Sequence, residues 1–163
     1  MRDEQVSVRP ARLEEVEALA RIGFAAWLES DIAAMDAGRA DRDALFREFQ
    51  AFCLESHDAI CVAHLVDQPV GWGARVIQGN YISDLWVLQS MRGRGAGSAL
   101  IARLEADIRK AGYARAELEV VQDNARALRF YQARGYEIIW RGERFDEALG
   151  YAVPRLRLVK PLS

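Results

Sequence analysis

Apolar positions along the chain recur at two periods, and the switches between them mark out the elements. "QVSVR" (Gln5 to Arg9) alternates like a short strand that Pro10 ends. Leu13, Val16, Leu19, Ala20, Phe24 and Trp27 then follow helical spacing. "AAMDAGRAD" reads as a polar, glycine-containing break, after which Asp41 is placed to cap a second helix with Leu45, Phe46, Phe49 and Phe52 on one side. "AICVAHLV" and "VGWGARVI" flank "DQP" and predict a hairpin, with "YISDLWVL" as a third strand nearby. Leu100, Ile101, Leu104 and Ile108 give one face of a helix with Arg109 and Lys110 in its last turn and Gly112 to close it. "RAELEVV" is a strand, and "DNARALRFYQARG" is a helix capped by Asp123 or Asn124 and ended by Gly135. "YEIIW" and "PRLRLVKP" are the last strands. The order β-α-α-β-β-β-α-β-α-β-β predicts an α/β fold with a mixed sheet: an antiparallel meander, then strands that return across helices.

The chain has 163 residues, enough for one domain (1–163) with a sizeable core, and no linker or repeat divides it. Its 22 basic and 24 acidic residues nearly cancel, which argues against a general nucleic-acid-binding surface. Cys53 and Cys61 form no CxxC pair, and no histidine stands at metal-ligand spacing, so reduced thiols and no metal site are expected. His57 and His64 are expected to be structural or exposed. "MRDEQVSVRP" carries no signal-peptide core, and no apolar run approaches the ~18 residues of a membrane span. The expected location is the cytoplasm, with no membrane partner.

One stretch demands chemistry. In "LWVLQSMRGRGAGSAL" an apolar strand stops, and Gly93, Gly95 and Gly97 alternate with Arg92, Arg94 and Ala96 before a helix opens near Ser98. The first amides of a helix lack intrahelical partners and carry partial positive charge, so an uncovered helix start binds anions, phosphate above all. A P-loop needs Gly-Lys-Ser/Thr, whereas Gly97-Ser98-Ala99 has no lysine. The dinucleotide fingerprint fits Gly93 and Gly95, but Ser98 takes the third glycine's place and Gln89 to Met91 separate the loop from the strand. A plain surface turn is the remaining alternative.

Arg92-Gly93-Arg94-Gly95-Ala96-Gly97 resembles the R/Q-x-x-G-x-G/A loop of the GNAT (GCN5-related) N-acetyltransferases. "LEVVQDNARALRFYQARGYE" is similar to that family's second half, with Asn124, Ala127, Phe130, Tyr131, Gly135 and Tyr136 in register. The likeness extends to "VSVRPARLEEVEALARI" and covers nearly the whole chain, but not Trp27 to Arg42 or Gly142 to Tyr151. It implies a GNAT fold with a sheet of about seven strands and about four helices. It implies acetyl-coenzyme A as cosubstrate, with its pyrophosphate on the glycine loop and its pantetheine arm beside Leu85, Trp86 and Val87. Asn124 would bond the cofactor, and Ala127 and Phe130 would pack on it, although Phe130 reads equally as core.

The same resemblance implies direct transfer of acetyl to a primary amine of a small molecule or peptide, without a metal. Tyr131 matches the family's acid tyrosine, and a phenol near pKa 10 can protonate a leaving thiolate. Its alternative is a buried tyrosine bonded to a carbonyl. Glu119 is the first candidate for base, with a salt bridge as its alternative; Asp84 or a water is the second. A backbone N–H near Val87 is placed to bond the thioester oxygen. Trp27, Glu29, Asp31, Asp36 and "GERFDEALGY" are the expected acceptor-specificity regions, and Trp72, Tyr81 and Trp86 are candidates for the groove wall. The resemblance also allows a homodimer through the last strands. A non-catalytic acyl-CoA sensor and a dinucleotide enzyme are the rival functions.

Overall fold

The structure, a computed structural model, describes residues 5–163. Seven strands form one mixed sheet in the order β1-β2-β3-β4-β5-β7-β6. They are β1 (Val6–Pro10), β2 (Ile60–Leu65), β3 (Gln68–Arg75), β4 (Tyr81–Val87), β5 (Arg115–Val121), β6 (Glu137–Asp146) and β7 (Tyr151–Pro161). The helices are α1 (Val16–Leu28), α2 (Asp31–Asp36), α3 (Arg42–Glu55), α4 (Ala96–Lys110) and α5 (Ala125–Gln132). Every neighbouring pair is antiparallel except β4 and β5. None of the described helices is long and apolar enough to cross a membrane.

The sheet is covered on both faces, which is why β2 is buried along its whole length. Its residues alternate between two cores. Cys61, Ala63 and Leu65 join Leu100, Leu104 and Ile108 of α4, while Ile60 and Val62 join Leu19, Leu45 and Phe49 of α1 and α3. Trp72 sits at the centre of the second core rather than on a groove wall. It is fully buried, stacks on Phe52 at 5.9 Å, and its Nε1 donates to the Leu19 carbonyl at 2.8 Å. Cys53 and Cys61 are buried free thiols; burial pushes Cys61 up to about 11 and Cys53 up to about 12.

Local chemistry sets the element ends. Asp41 accepts from the Ala44 amide at 3.0 Å and caps α3; Asn124 accepts from the Ala127 amide at 3.3 Å and caps α5. The β2–β3 hairpin turns on Val66 and Asp67, both at positive φ (49° and 61°), the geometry of a tight two-residue hairpin turn.

Two regions differ from the sequence reading. The break after α1 contains the short helix α2, a fifth helix among the described residues. Ile32, Ala33 and Met35 give it an apolar side on the second core, and Ala37 closes it at φ 51°. The segment Gly142 to Tyr151, which has little apolar alternation, mostly extends β6 and β7 into a long hairpin. β6 lies at the sheet edge, where a polar strand meets no burial cost.

Asp36 is not an acceptor-attracting surface acid. It is 1% exposed, accepts the Ala40 amide with both oxygens at 3.1 Å, and accepts the Tyr151 hydroxyl. It therefore ties α2 to β7. Replacing it with alanine strands two buried donors, so Asp36→Ala is expected to lower unfolding free energy by about 2–4 kcal/mol. Urea unfolding followed by circular dichroism checks this, with a change in midpoint at constant slope.

Candidate active site

The sheet itself opens to make the site. β4 and β5 pair only at Tyr81–Glu117 and Ile82–Leu118. Beyond that point β4 is held by β3, with Leu85 opposite Gly73 and Val87 opposite Gly71. β5 is held by β7 through Val121 opposite Arg155. The two strands diverge, and alternate main-chain groups of β4 face the opening instead of a neighbour.

A groove of about 540 Å³ occupies the glycine-turn side of this opening. Leu85, Trp86, Val87, Arg92, Gly93, Gly95, Ala96, Gly97, Ser98, Asn124, Ala127 and Phe130 all border it. Arg94 lies in the same turn and is exposed, but it does not border the groove. Gly93 and Gly95 adopt positive φ, 78° and 87°, a conformation a side chain resists. Gly95 also takes the N-cap position of α4 with no side-chain cap, which leaves the first amides of α4 uncovered. Gly97 serves another purpose: a Cβ there would stand 3.2 Å from Phe130, so its absence lets α4 and α5 approach.

Two arginines that the sequence reading missed border the groove. Arg126 lies in the first turn of α5. Arg134 lies over the Phe130 ring at 3.6 Å, donates to the Phe130 carbonyl at 3.0 Å, and donates to the Ser98 hydroxyl. Its signal was present, since it stands four residues after Phe130 and so returns to the same helical face. Arg92 is held below its ordinary value by burial and then by the Arg126 charge, against Glu29 and Asp31. Glu29 and Asp31 thus border the groove at the glycine turn, where they offset arginines, and do not border the second pocket described below. Asp31 also accepts the Arg126 amide at 3.2 Å. A concave surface with open helix amides and three guanidinium groups fits a diphosphate, and the apolar strip at Leu85, Val87 and Phe130 fits a thin alkyl amide arm. Asn124 spends its oxygen on the helix cap and keeps its amide N–H groups for a ligand.

Tyr131 borders this groove and also a second pocket, of about 220 Å³, on the other side of the opening. Its ring packs edge-on against Phe130 and Tyr136 at 5.3 and 5.6 Å. Among the described residues its hydroxyl has no hydrogen-bond partner. Tyr136 shows the contrast: its hydroxyl donates to Glu105 at 2.8 Å, and Glu105 also binds Lys160. Burial first, then the Asp84 charge, raises the Tyr131 phenol, so it keeps its proton at neutral pH.

Glu119 borders the second pocket, not the groove. Arg144 Nε bonds both of its oxygens at 2.9 Å, and Arg157 reaches it at 3.2 Å. The salt bridge that stood as its alternative is therefore formed, with Arg144 of β6 and Arg157 of β7 as partners. Asp84 borders the same pocket and accepts from the Trp86 indole at 3.1 Å. Burial raises its carboxyl against the hydrogen bonds from Trp86 and Ser83.

The chain matches the model of the acetyltransferase (GNAT) family over residues 23–136. Its fold resembles the solution structure of the apo form of YjaB from Escherichia coli (28% identity, 95% of this chain and 97% of that one, TM-score 0.74). It also resembles a GCN5-related N-acetyltransferase structure from Rhodopseudomonas palustris (22% identity, 99% of both chains, TM-score 0.80). A third is PaiA N-acetyltransferase from Thermoplasma acidophilum, solved in complex with coenzyme A (14% identity, 97% of this chain and 99% of that one, TM-score 0.74). The family match spans more than half the sequence and includes the glycine turn, the diverging strands and Tyr131; the chain belongs to the GNAT acetyltransferase family.

Proposed function

We propose that the protein transfers acetyl from acetyl-coenzyme A directly to a primary amine, with Tyr131 as general acid. The observation that carries this reading is the position of Tyr131. Tyr131 borders both the glycine-turn groove and the second pocket, and among the described residues its hydroxyl has no hydrogen-bond partner. The cosubstrate supplies an activated thioester and a thiol leaving group.

The chain's residues then have separable tasks. The amides opening α4, with Arg92, Arg126 and Arg134, hold the diphosphate and so aim the arm along β4. A main-chain N–H near Val87 bonds the thioester oxygen as its charge grows. Tyr131 gives its proton to sulfur as the C–S bond breaks. A buried phenol is a weaker acid than a thiol, so this transfer runs uphill unless coupled. The nitrogen that becomes an amide loses its second proton at the same time and restores the phenol. The amine's first proton goes to a base and then to water, so each turnover consumes an ammonium and a thioester and yields amide, thiol and one proton. Glu119 is the base expected from the sequence. Arg144 Nε donates one N–H shared between both of its oxygens, which supports a role for Glu119 as a fixed charge on the acceptor side, from which it takes a proton only by giving up that contact.

Release of free thiol from acetyl-coenzyme A, followed with and without a mixture of primary amines, tests the proposal. Amine-dependent release at least ten times background is expected. Tight binding of acetyl-coenzyme A without release would instead establish a sensor.

A further inference from the structure

We infer that the second pocket takes a compact primary amine with an apolar body, and that Asp84 binds its ammonium group. The inference rests on the acetyltransferase reading and adds the class of acceptor.

The pocket brings together three carboxylates: Asp84, Glu119 and Asp146. Two are already neutralised. Glu119 is bonded by Arg144 and Arg157, and Asp146 by Arg155. Asp146 also accepts the Leu149 amide at 2.9 Å. Asp84 has only neutral donors, the indole of Trp86 and the hydroxyl of Ser83. Among the described residues it is the one carboxylate of the pocket without a cation. Burial disfavours its charge, and an arriving ammonium would restore it.

Most of the remaining wall is apolar, with Trp27, Ile32, Leu45, Phe49 and Leu149; Arg155, held by Asp146, and the polar Ser83 and Asn124 complete it. About 220 Å³ at ~30 Å³ per water-sized group gives room for about seven such groups. An arylalkyl or branched alkyl amine matches both size and lining. A polyamine would need a second uncompensated carboxylate for its distal charge, and a peptide would bury amides against hydrocarbon. The pocket shares Leu85, Trp86, Asn124, Ala127 and Tyr131 with the groove, so an amine seated on Asp84 lies next to the groove and to Tyr131. The ammonium passes one proton to Asp84 as its nitrogen forms the bond to the acetyl carbon; Asp84 later yields that proton to water.

The test compares phenethylamine and isoamylamine with spermidine, lysine and an alanyl peptide as acceptors, by thiol release from acetyl-coenzyme A. The first two are expected to exceed the others at least tenfold in kcat/KM. Asp84→Asn should lower kcat/KM for phenethylamine at least 100-fold while the Kd for acetyl-coenzyme A stays within threefold. Leu149→Trp should lower kcat/KM at least tenfold more for phenethylamine than for ethylamine, a split by size that reads the pocket independently of Asp84→Asn. Preference for spermidine, lysine or the peptide would overturn the acceptor class and leave the acetyltransferase reading standing. Unchanged kcat/KM in a folded Asp84→Asn, or equal losses for both amines in Leu149→Trp, would overturn the assignment of the pocket. Binding of acetyl-coenzyme A with no release to any amine would overturn both readings together.

Discussion

Gly95→Val is expected to weaken coenzyme A binding by about 100-fold while leaving the fold intact. Gly95 sits at φ 87° and ψ 4° as the residue before α4. A β-branched residue there costs roughly 1–2 kcal/mol in backbone strain, which the turn relieves by rotating its peptides out of the left-handed region. Nothing lies within 4 Å of the Cβ position, so no steric clash with the core accompanies the change. The loss falls on the amide array that would meet the diphosphate, and the introduced methyl groups enter the same open space. Isothermal titration with coenzyme A measures the affinity, and far-ultraviolet circular dichroism checks the fold. An unchanged Kd would refute the anion cradle. An equal fall in thermal stability and affinity would refute the view that this turn is set apart from the core.

Tyr131→Phe is expected to lower kcat by about 100- to 1,000-fold with the Kd for acetyl-coenzyme A within threefold, in keeping with the usual worth of a positioned acid. The substitution keeps the ring contacts with Phe130 and Tyr136 and removes an oxygen that bonds no group among the described residues. Little stability is at stake, so a kinetic loss reports chemistry. Because the phenol is raised above its ordinary range, the wild-type rate should show no alkaline decline from this group up to pH 9.5. Parallel losses in kcat and binding would instead make Tyr131 a packing residue. Rapid-quench measurement of a single turnover isolates the chemical step from product release.

Much of this site was legible because its signals are local. Strand, glycine turn and helix follow one another between Leu85 and Leu100, and the positive φ of Gly93 and Gly95 is what three crowded glycines suggest. Asp41 and Asn124 cap the helices they precede, as short polar side chains there do. What escaped reading depends on partners distant in sequence. Asp36 looks like one more surface acid until Tyr151 is brought to it. Glu119 reads as a base or a salt-bridge partner alike until the β6–β7 hairpin brings Arg144 and Arg157 to it. That hairpin was itself underread, since its Gly142 to Tyr151 portion lacks the alternation that a one-sided strand shows and an edge strand does not need. Trp72 and Trp86 have similar surroundings in sequence, yet register separates them. Trp72 faces Leu19 and Phe52, while Trp86 meets Phe49 and borders both pockets.

The parting of β4 from β5 constrains how this molecule can change. Both compartments hang from one fork whose closed end is the pairing at Ile82 and Leu118. Leu85, Trp86, Asn124, Ala127 and Tyr131 each border both pockets, so under the proposed function enlarging any of them for a new amine would disturb the thioester's seat as well. Ile32 and Leu149 border the second pocket and not the groove, and they sit on α2 and the turn before β7, in the two stretches least like the family's shared motifs. Under the proposed function, divergence toward new amines would have freedom at those two places, while the cosubstrate would hold the fork itself fixed.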